Sequence, residues 1–439
     1  MSRCRLLLAL LAVALAAGPA RGAAALRAGA ARVSITPDPG EAPYPLGGYT
    51  AGTRLTHRAT GVRDTCYARA LVMGNATTRY ALVSCELCFL PDTLVDAVTA
   101  RVADLGLPAS HVLLCATHTH SAADPLCVHA RNTGTIGTLP KYDPRFAAWF
   151  VERIARTIRE AVAAMRPASV GSLQVPRVGL NRNRRDEKLT DDEMTVLRVD
   201  GEDGRPIAAV CCYAAHPTLY GPEMLEVSGD WCGLLQQRLE TALPGATALF
   251  INGSVGDAAP RVVDEGAPAE RVARYAGLVA DVALAAIRRV RPEPHPRLAA
   301  WRQPVDLPAR RPHPLFLLLA GQFRASSAQA RDMVSRLMPE RSYLSFLRVG
   351  RVLAIGYPAE PTAVIGLAAK AEARRLGIRE PMVVALTNGW LGYFVDAAQY
   401  RTGRVEPAMS FYGPDVGRSV EAAAARGIRA AAAGGGAPK

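Results

Sequence analysis

The sequence predicts a layered α/β fold, a single domain built on a mixed, largely buried sheet. Three observations carry that reading. Short apolar runs rich in β-branched residues alternate with helix-length stretches of amphipathic pattern. The runs themselves, such as "RYALVSCEL", "HVLLCATH" and "ATALFINGS", carry few polar positions, as strands covered on both faces do. Hydrophobic residues make up 49% of the 439, enough for one large core.

The chain opens on "MSRCRLLLALLAVALAAGPARGAAA": Arg3 and Arg5, an apolar run from Leu6 to Ala17, then small residues around Ala20, Arg21 and Gly22. This is the pattern of a secretory signal peptide over residues 1–22, and it predicts a secreted or periplasmic protein. No later stretch reaches about 18 uninterrupted apolar residues, so the mature domain, residues 23–425, is expected to be soluble. Within it, "RYALVSCEL" leads into a helical pattern at 92–105, and "HVLLCATH" into a long amphipathic helix at 145–165. "PIAAVCCYAAHP" precedes a helix at 229–243, and "ATALFINGS" one at 269–289. "SYLSFLRVGRVLAIGYP" precedes a helix at 362–376, which "PMVVALTNGWLGYFV" follows. The Pro- and Arg-rich stretch "RVRPEPHPRLAAWRQPVDLPARRPHP" reads as a long loop with an edge strand, since the strand pattern resumes after it. No internal repeat is evident. Residues 426–439, ending "AAAAGGGAPK", read as a flexible low-complexity tail.

The formal charge of +13 comes almost wholly from scattered arginines, with lysine only at Lys141, Lys188, Lys370 and Lys439. Scatter of this kind excludes the basic, aromatic-interleaved stripe of a nucleic-acid binder. Nine cysteines include Cys4; the other eight lie mostly in apolar strand-like runs, where buried thiols and disulfides both remain open. The "CELC" pair has no second CxxC, so core thiols are favoured over a zinc knuckle.

Polar residues gather where apolar strands end. "LLCATHTHSAAD" ends a strand in His118 and His120, followed by Ser121 and Asp124. Two structural histidines would be the plain explanation, but an HxH pair at the carboxyl end of a buried strand favours metal binding or catalysis. "CCYAAHP" ends a second strand in His216, with Pro217 stopping it. "ALFINGSVGDAAPR" ends a third in a turn where Gly253 and Gly256 would permit positive φ or close backbone approach, beside Asp257. It is neither a Walker loop nor a nucleophile elbow. "IGYPAEPTAV" sets Glu360 at a helix start, where capping alone would account for it. Tyr393 follows another strand, and an ordinary buried aromatic is its default reading. Two imidazoles and an oxygen ligand suit zinc, with a position left for a water whose pKa the ion lowers.

The order of these motifs resembles the neutral (alkaline, non-lysosomal) ceramidase family, secreted or membrane-associated zinc amidohydrolases that release sphingosine and fatty acid. The similarity runs from "AGAARVSITP" to "SFYGPDVGRSVEAA". "ATHTHSA", His216 with Ser228 to Asp230, Glu360 in "PAEP" and Tyr393 ahead of "FYGP" fall in the family's order. The resemblance implies zinc held by His118, His216, Glu360 and Tyr393. It makes His120 the neighbour that moves a proton, with Arg182 of "GLNRNRR" or Asp257 positioning substrate. It implies hydrolysis of an N-acyl sphingoid or related lipid amide by metal-activated water, with peripheral membrane contact for a lipid substrate. The chain is expected to correspond to the family's catalytic domain without the β-sandwich domain that ceramidases add. It departs from the family at two hydroxyls: Ala259 stands where "GDxSP" carries serine, and Val405 where a second tyrosine lies. A hydrolase of another amide or ester, or a non-catalytic zinc and lipid binder, are the alternatives those changes raise.

Overall fold

The computed structural model describes residues 25–49, 54, 57–75, 78–134, 136–185, 187–261 and 265–433. The expected signal peptide lies outside them. Strands and helices are numbered in chain order. The larger sheet contains β1 (Arg27–Ser34), β3 (Tyr67–Gly74), β4 (Arg79–Cys85), β5 (Val112–Ala116), β6 (Arg166–Val175), β8 (Met194–Gly201), β9 (Pro206–Tyr213) and β11 (Thr247–Asn252). Its order is β11-β9-β8-β6-β1-β3-β4-β5, mixed as expected, with only the β4/β5 and β9/β11 pairs parallel. Only two residue pairs between β1 and β6 join its halves.

A second sheet contains β13 (Leu298–Val305), β14 (Ser342–Val349), β15 (Val352–Gly356) and β17 (Glu380–Val384), in the order β13-β14-β15-β17. This sheet is additional to the large mixed one that the sequence leads one to expect. The strand within the Pro- and Arg-rich stretch is an edge strand, but of this separate sheet, because β13 finds its partner in β14. Three short ladders complete the strands: β2 (Gly61–Val62) with β10 (Glu226–Val227), β7 (Asn181–Asn183) with β12 (Ala258–Pro260), and β16 (Glu360–Pro361) with β18 (Tyr393–Phe394).

Helices α1 (Asp92–Arg101), α3 (Asp230–Ala242) and α7 (Ala363–Arg375) are the crossovers of three β-α-β units, between β4 and β5, β9 and β11, and β15 and β17. Parallel neighbours require such long connections. Helices α2 (Pro144–Ala163), α4 (Pro268–Ile287) and α10 (Val416–Ala432) add to the outer faces. Short helices α5 (Pro314–Leu319) and α6 (Ser327–Leu337) lie between β13 and β14, while α8 (Ala397–Tyr400) and α9 (Val405–Ala408) follow β18.

Period-two alternation sorts the core into layers. On β9, Ala209, Cys211 and Tyr213 pack with α3 and α4, whereas Ala208, Val210 and Cys212 enter a cluster shared with the second sheet. On β15, Val352 and Ala354 join that same cluster, while Leu353 and Ile355 face residues of α7 and α10. The architecture is therefore helix, sheet, sheet, helix. The Ala-rich segment expected as tail from residue 426 is helical through Ala432. Val416, Val420, Ala423, Gly427 and Ala431 recur at helical spacing and are buried on α10. All eight cysteines from Cys66 to Cys232 are buried free thiols, which decides that question against disulfides among the described residues. No helix of the described residues is long and apolar enough to cross a membrane.

Candidate metal centre

The β-α-β units deliver their strand ends to one place, and Asn252, the last residue of β11, ties them there. Its Nδ2 donates to Thr117 O at 3.0 Å, beyond β5, and to Ala215 O at 3.2 Å, beyond β9. Its carbonyl accepts from Ala385 N at 2.9 Å, beyond β17. His118 and His216 follow directly from the first two of these points.

His118 has φ +77°, the left-handed region that a non-glycine residue enters at a cost of about 1–3 kcal/mol. The bend takes the chain off the line of β5, so His118 and His120 do not share a strand face. Cys88 O accepts a hydrogen bond from His118 Nδ1 at 2.6 Å. Val255 O and Ala258 O stand 2.9 and 3.2 Å from His216 Nδ1. Carbonyls only accept, so both Nδ1 atoms carry hydrogen and both Nε2 atoms are left to offer lone pairs.

These two Nε2 atoms face each other at 3.1 Å. Glu360 Oε2 lies 3.1 Å from His118 Nε2 and 3.4 Å from His216 Nε2. The Tyr393 hydroxyl lies 3.4 Å from His216 Nε2. Glu360 and Tyr393 come together because β16 and β18 pair in parallel with these two residues in register. The turn after β11 passes so close that a Cβ on Gly256 would lie 2.7 Å from Glu360 O. That close approach, rather than positive φ, is what its glycine serves.

The donor set fits a small divalent cation such as zinc. Ligands at about 2.0–2.1 Å around a tetrahedral ion sit about 3.3 Å apart, close to the separations found here. Glu360 Oε2 is buried and makes no hydrogen bond, while Glu360 Oε1 accepts from Trp390 Nε1 at 2.9 Å. An orphaned carboxylate oxygen facing two imidazole lone pairs is costly unless a positive charge lies between them. Burial alone would raise the Glu360 carboxyl, but His118 and His216 hold it well below the usual carboxylate range. Burial pulls the His118 imidazole down, and Glu360 overcomes it and holds it well above its ordinary value, so a proton on His118 Nε2 and a cation are alternatives at that one position. Burial, with Arg184 next, lowers His216 to about 4.

His120 stands beside this group, its Nε2 3.5 Å from His118 Nε2. Burial and the neighbouring His118 and His216 keep its imidazole neutral, well below its ordinary pKa. Its ring packs edge-on to Tyr49 with centroids 4.8 Å apart, and its Nδ1 is buried without a partner. Gly48, at φ +94°, passes over the ring where a Cβ would fall 2.4 Å from His120 Cγ.

Two expected positioning residues are not where the sequence reading put them. Asn181 and Asn183 of β7 are buried and Arg182 between them is exposed, since neighbours on a strand face opposite ways. Arg184 occupies the site instead, donating to the Tyr393 hydroxyl at 3.1 Å, to Gly256 O at 2.8 Å and to Glu406 Oε1 at 2.8 Å. Asp257 is buried, with Oδ1 accepting from Ala363 N at 2.7 Å and Oδ2 from Asn183 Nδ2 at 3.0 Å. Burial raises its carboxyl to about 6. Both oxygens are engaged, so it braces the start of α7 rather than facing the cavity. Trp390 and Asn252 were not singled out from sequence, and a lone Trp or Asn carries no pattern to single out.

The group forms the floor of a cavity of about 800 Å³. Its polar end includes Arg54 and Tyr49; Phe316, Phe323, Met333 and Leu337 of the segment 306–341 form an apolar wall. β13 and β14 pair directly up to Val305 and Ser342, so a tight turn would have joined them. The intervening residues form a cap over the site instead.

Residues 27–272, more than half of the chain, match the family model of neutral/alkaline non-lysosomal ceramidase, N-terminal. The chain belongs to this family. The fold is shared with the crystal structure of neutral ceramidase from Pseudomonas aeruginosa, at TM-score 0.80 and 18% identity over 95% of this chain and 76% of that one. A structure described as a ceramidase complexed with C2 gives the same values. The family model ends before Glu360 and Tyr393.

Proposed function

We propose that this protein is an exported, zinc-dependent hydrolase of the amide bond of an N-acyl sphingoid or related N-acyl lipid. The observation that carries the reading is the meeting of His118 Nε2, His216 Nε2 and the unpartnered Glu360 Oε2 at the floor of a cavity with an apolar wall. His118, His216, Glu360 and Tyr393 would hold the ion. When bound, zinc polarises a carbonyl and lowers the pKa of water, the chemistry amide hydrolysis needs.

The residues around it have definable tasks. His120 is neutral and borders the cavity, so its imidazole takes up a proton from the attacking water and returns it to the leaving amine. Arg184 fixes the Tyr393 hydroxyl by donating to it and is itself braced by Glu406, a charge-assisted pair that resists displacement. The apolar wall accepts an alkyl chain and excludes bulk water from the reacting end. Export follows from the signal-peptide pattern of residues 1–22.

A second reading, hydrolysis of a different amide or ester, is favoured by one observation. Val405 borders the cavity and Ala259 stands on β12, so neither supplies the hydroxyl that the family pattern has there. Turnover of a panel of N-acyl sphingosines, N-acyl amino acids and aryl esters separates the two. Metal analysis of the purified protein beside His118→Ala tests both. Zinc near one equivalent, with metal and turnover lost in the variant, supports hydrolysis; zinc-free protein, or His118→Ala with unchanged turnover, would sink it.

A further inference from the structure

Three arginines border the cavity, and among the described residues only one of them is paired with a carboxylate. That one is Arg184, held by Glu406 at 2.8 Å. Arg54 is 3% exposed, and its guanidinium donates to neutral acceptors: Pro222 O at 3.1 Å through Nε, His120 O at 2.9 Å through Nη1 and Ser121 Oγ at 3.3 Å through Nη2. It also lies over the Tyr49 ring, 5.4 Å from the centroid. Arg58 borders the same cavity and is exposed. A guanidinium buried among neutral partners keeps an unanswered charge, which is costly until an anion meets it.

The acidic side chains nearby do not close the balance. Asp124 is part-buried, its Oδ1 accepts from Leu126 N at 2.9 Å, and both Arg58 and Arg54 favour its ionised form. One carboxylate set against two guanidiniums leaves one positive charge over. Glu223 is exposed and acts on Arg54 only through space. The location of Arg54 says where on a substrate the missing anion lies. Its Nη1 holds the carbonyl of His120, whose imidazole Nε2 is 3.5 Å from His118 Nε2. The apolar wall of Phe316, Phe323 and Leu337 comes from the cap, whereas Arg54 and Arg58 come from the segment before β2. With an acyl chain on that wall and the acyl carbon at the metal ligands, the group that meets Arg54 belongs to the leaving amine.

We infer that the leaving amine carries a carboxylate a few bonds from its nitrogen, so that the substrate is an N-acyl amino acid selected by Arg54 and Arg58. This rests on the reading of the cavity as an N-acyl lipid site and narrows its substrate class. In the reaction the oxygen of water bonds to the acyl carbon, the C–N bond breaks and the nitrogen takes a proton from that water, giving a fatty acid and an amino acid. A planar guanidinium suits a carboxylate better than it suits the neutral hydroxyls of a sphingoid base.

Binding measured by calorimetry on the full chain tests the selection without relying on turnover. The probes are the ketone isostere of N-octanoylglycine, in which a methylene replaces the amide nitrogen, and the primary amide of that isostere, which lacks the charge. The acid is expected to bind at least about tenfold more tightly, the scale of one hydrogen bond to a charged group. That advantage should shrink as salt rises from about 0.05 to about 0.5 M. Arg54→Gln is expected to remove most of it, and Arg58→Ala to reduce it about twofold. Arg58 is exposed, so its variant keeps the test open should Arg54→Gln fail to fold. Equal binding of acid and amide, or an advantage that neither variant reduces, would overturn the inference. So would faster turnover of N-octanoyl phosphoethanolamine or N-octanoylsphingosine than of N-octanoylglycine, which leaves the hydrolase reading standing. Tighter binding of the acid with no acyl amide hydrolysed would overturn the proposed hydrolysis and leave the selection standing.

Discussion

Glu360 and Tyr393 stand opposite each other on a two-residue parallel ladder, so backbone pairing presents a carboxylate and a phenol to the same imidazole. Tyr393→Phe leaves the ladder and the packing in place and removes only the hydroxyl that faces His216 and Arg184. Turnover is expected to fall by at least about a hundredfold, as for loss of one preorganised donor at a reaction centre. Thermal stability measured alongside should be nearly unchanged.

Trp390 donates its indole N–H to Glu360 Oε1, which leaves Oε2 facing the histidines. Trp390→Phe keeps the stacking on Phe89, whose ring centroid is 4.4 Å away, and deletes the donor. Supporting hydrogen bonds of this kind are worth about 10- to 100-fold in metal affinity. Zinc competition against a chromophoric chelator would register the loss; unchanged affinity would mean that Glu360 needs no such support.

Asn252 holds the ends of β5, β9 and β17, and it has no direct contact with the proposed ligand atoms. Asn252→Ala leaves two buried carbonyls without their donor, costing about 2–4 kcal/mol of stability. Urea unfolding should show a lower midpoint with the slope retained. Zinc affinity should fall as well, because His118 and His216 hang from the carbonyl-bearing residues that Asn252 clamps.

Asp230, at φ +53°, accepts from Trp231 N at 2.6 Å and from Tyr220 N at 3.1 Å, and burial raises its carboxyl to about 7. A raised carboxyl means that the folded protein binds the proton more tightly than the unfolded chain does. Its contribution to stability is therefore full below the ordinary value of 3.8 and declines as pH rises towards about 7. Asparagine tolerates the same backbone region and resembles the protonated form. Asp230→Asn should lose less stability than the wild type between about pH 4 and 7, measured by denaturant midpoints. A parallel decline in both proteins would assign the pH dependence elsewhere.

Much of the site was legible because each of its corners ends an apolar run. His118, His216, Glu360 and Tyr393 were placed at strand ends from the sequence, and the structure brings those four side chains together. Arg184 was missed although its signal was available. Asn181 and Asn183 share one face of a short strand, which sends Arg182 outward, and the run of arginines in "NRNRR" hid that alternation. The second sheet was not legible because strand pairing is a long-range choice. Nothing local to Leu298–Val305 reveals that its partner lies beyond the cap. The start of the cap looked like loop because α5 is short and begins among prolines, and α6 beyond it was not singled out although Ser326 and Gln329 form a capping box.

Because the cap is inserted in a hairpin, its length and composition are uncoupled from the rest of the chain. Val305 and Ser342 pair across the inserted segment, whereas His118 and His216 follow strands of the larger sheet and Glu360 and Tyr393 follow strands of the second. Selection can therefore rewrite residues 306–341, and with them which molecules are admitted, while the hydrolytic centre is inherited unchanged. Exchanging that one segment between relatives is a route to new substrate ranges that site-by-site mutation of the cavity floor does not offer.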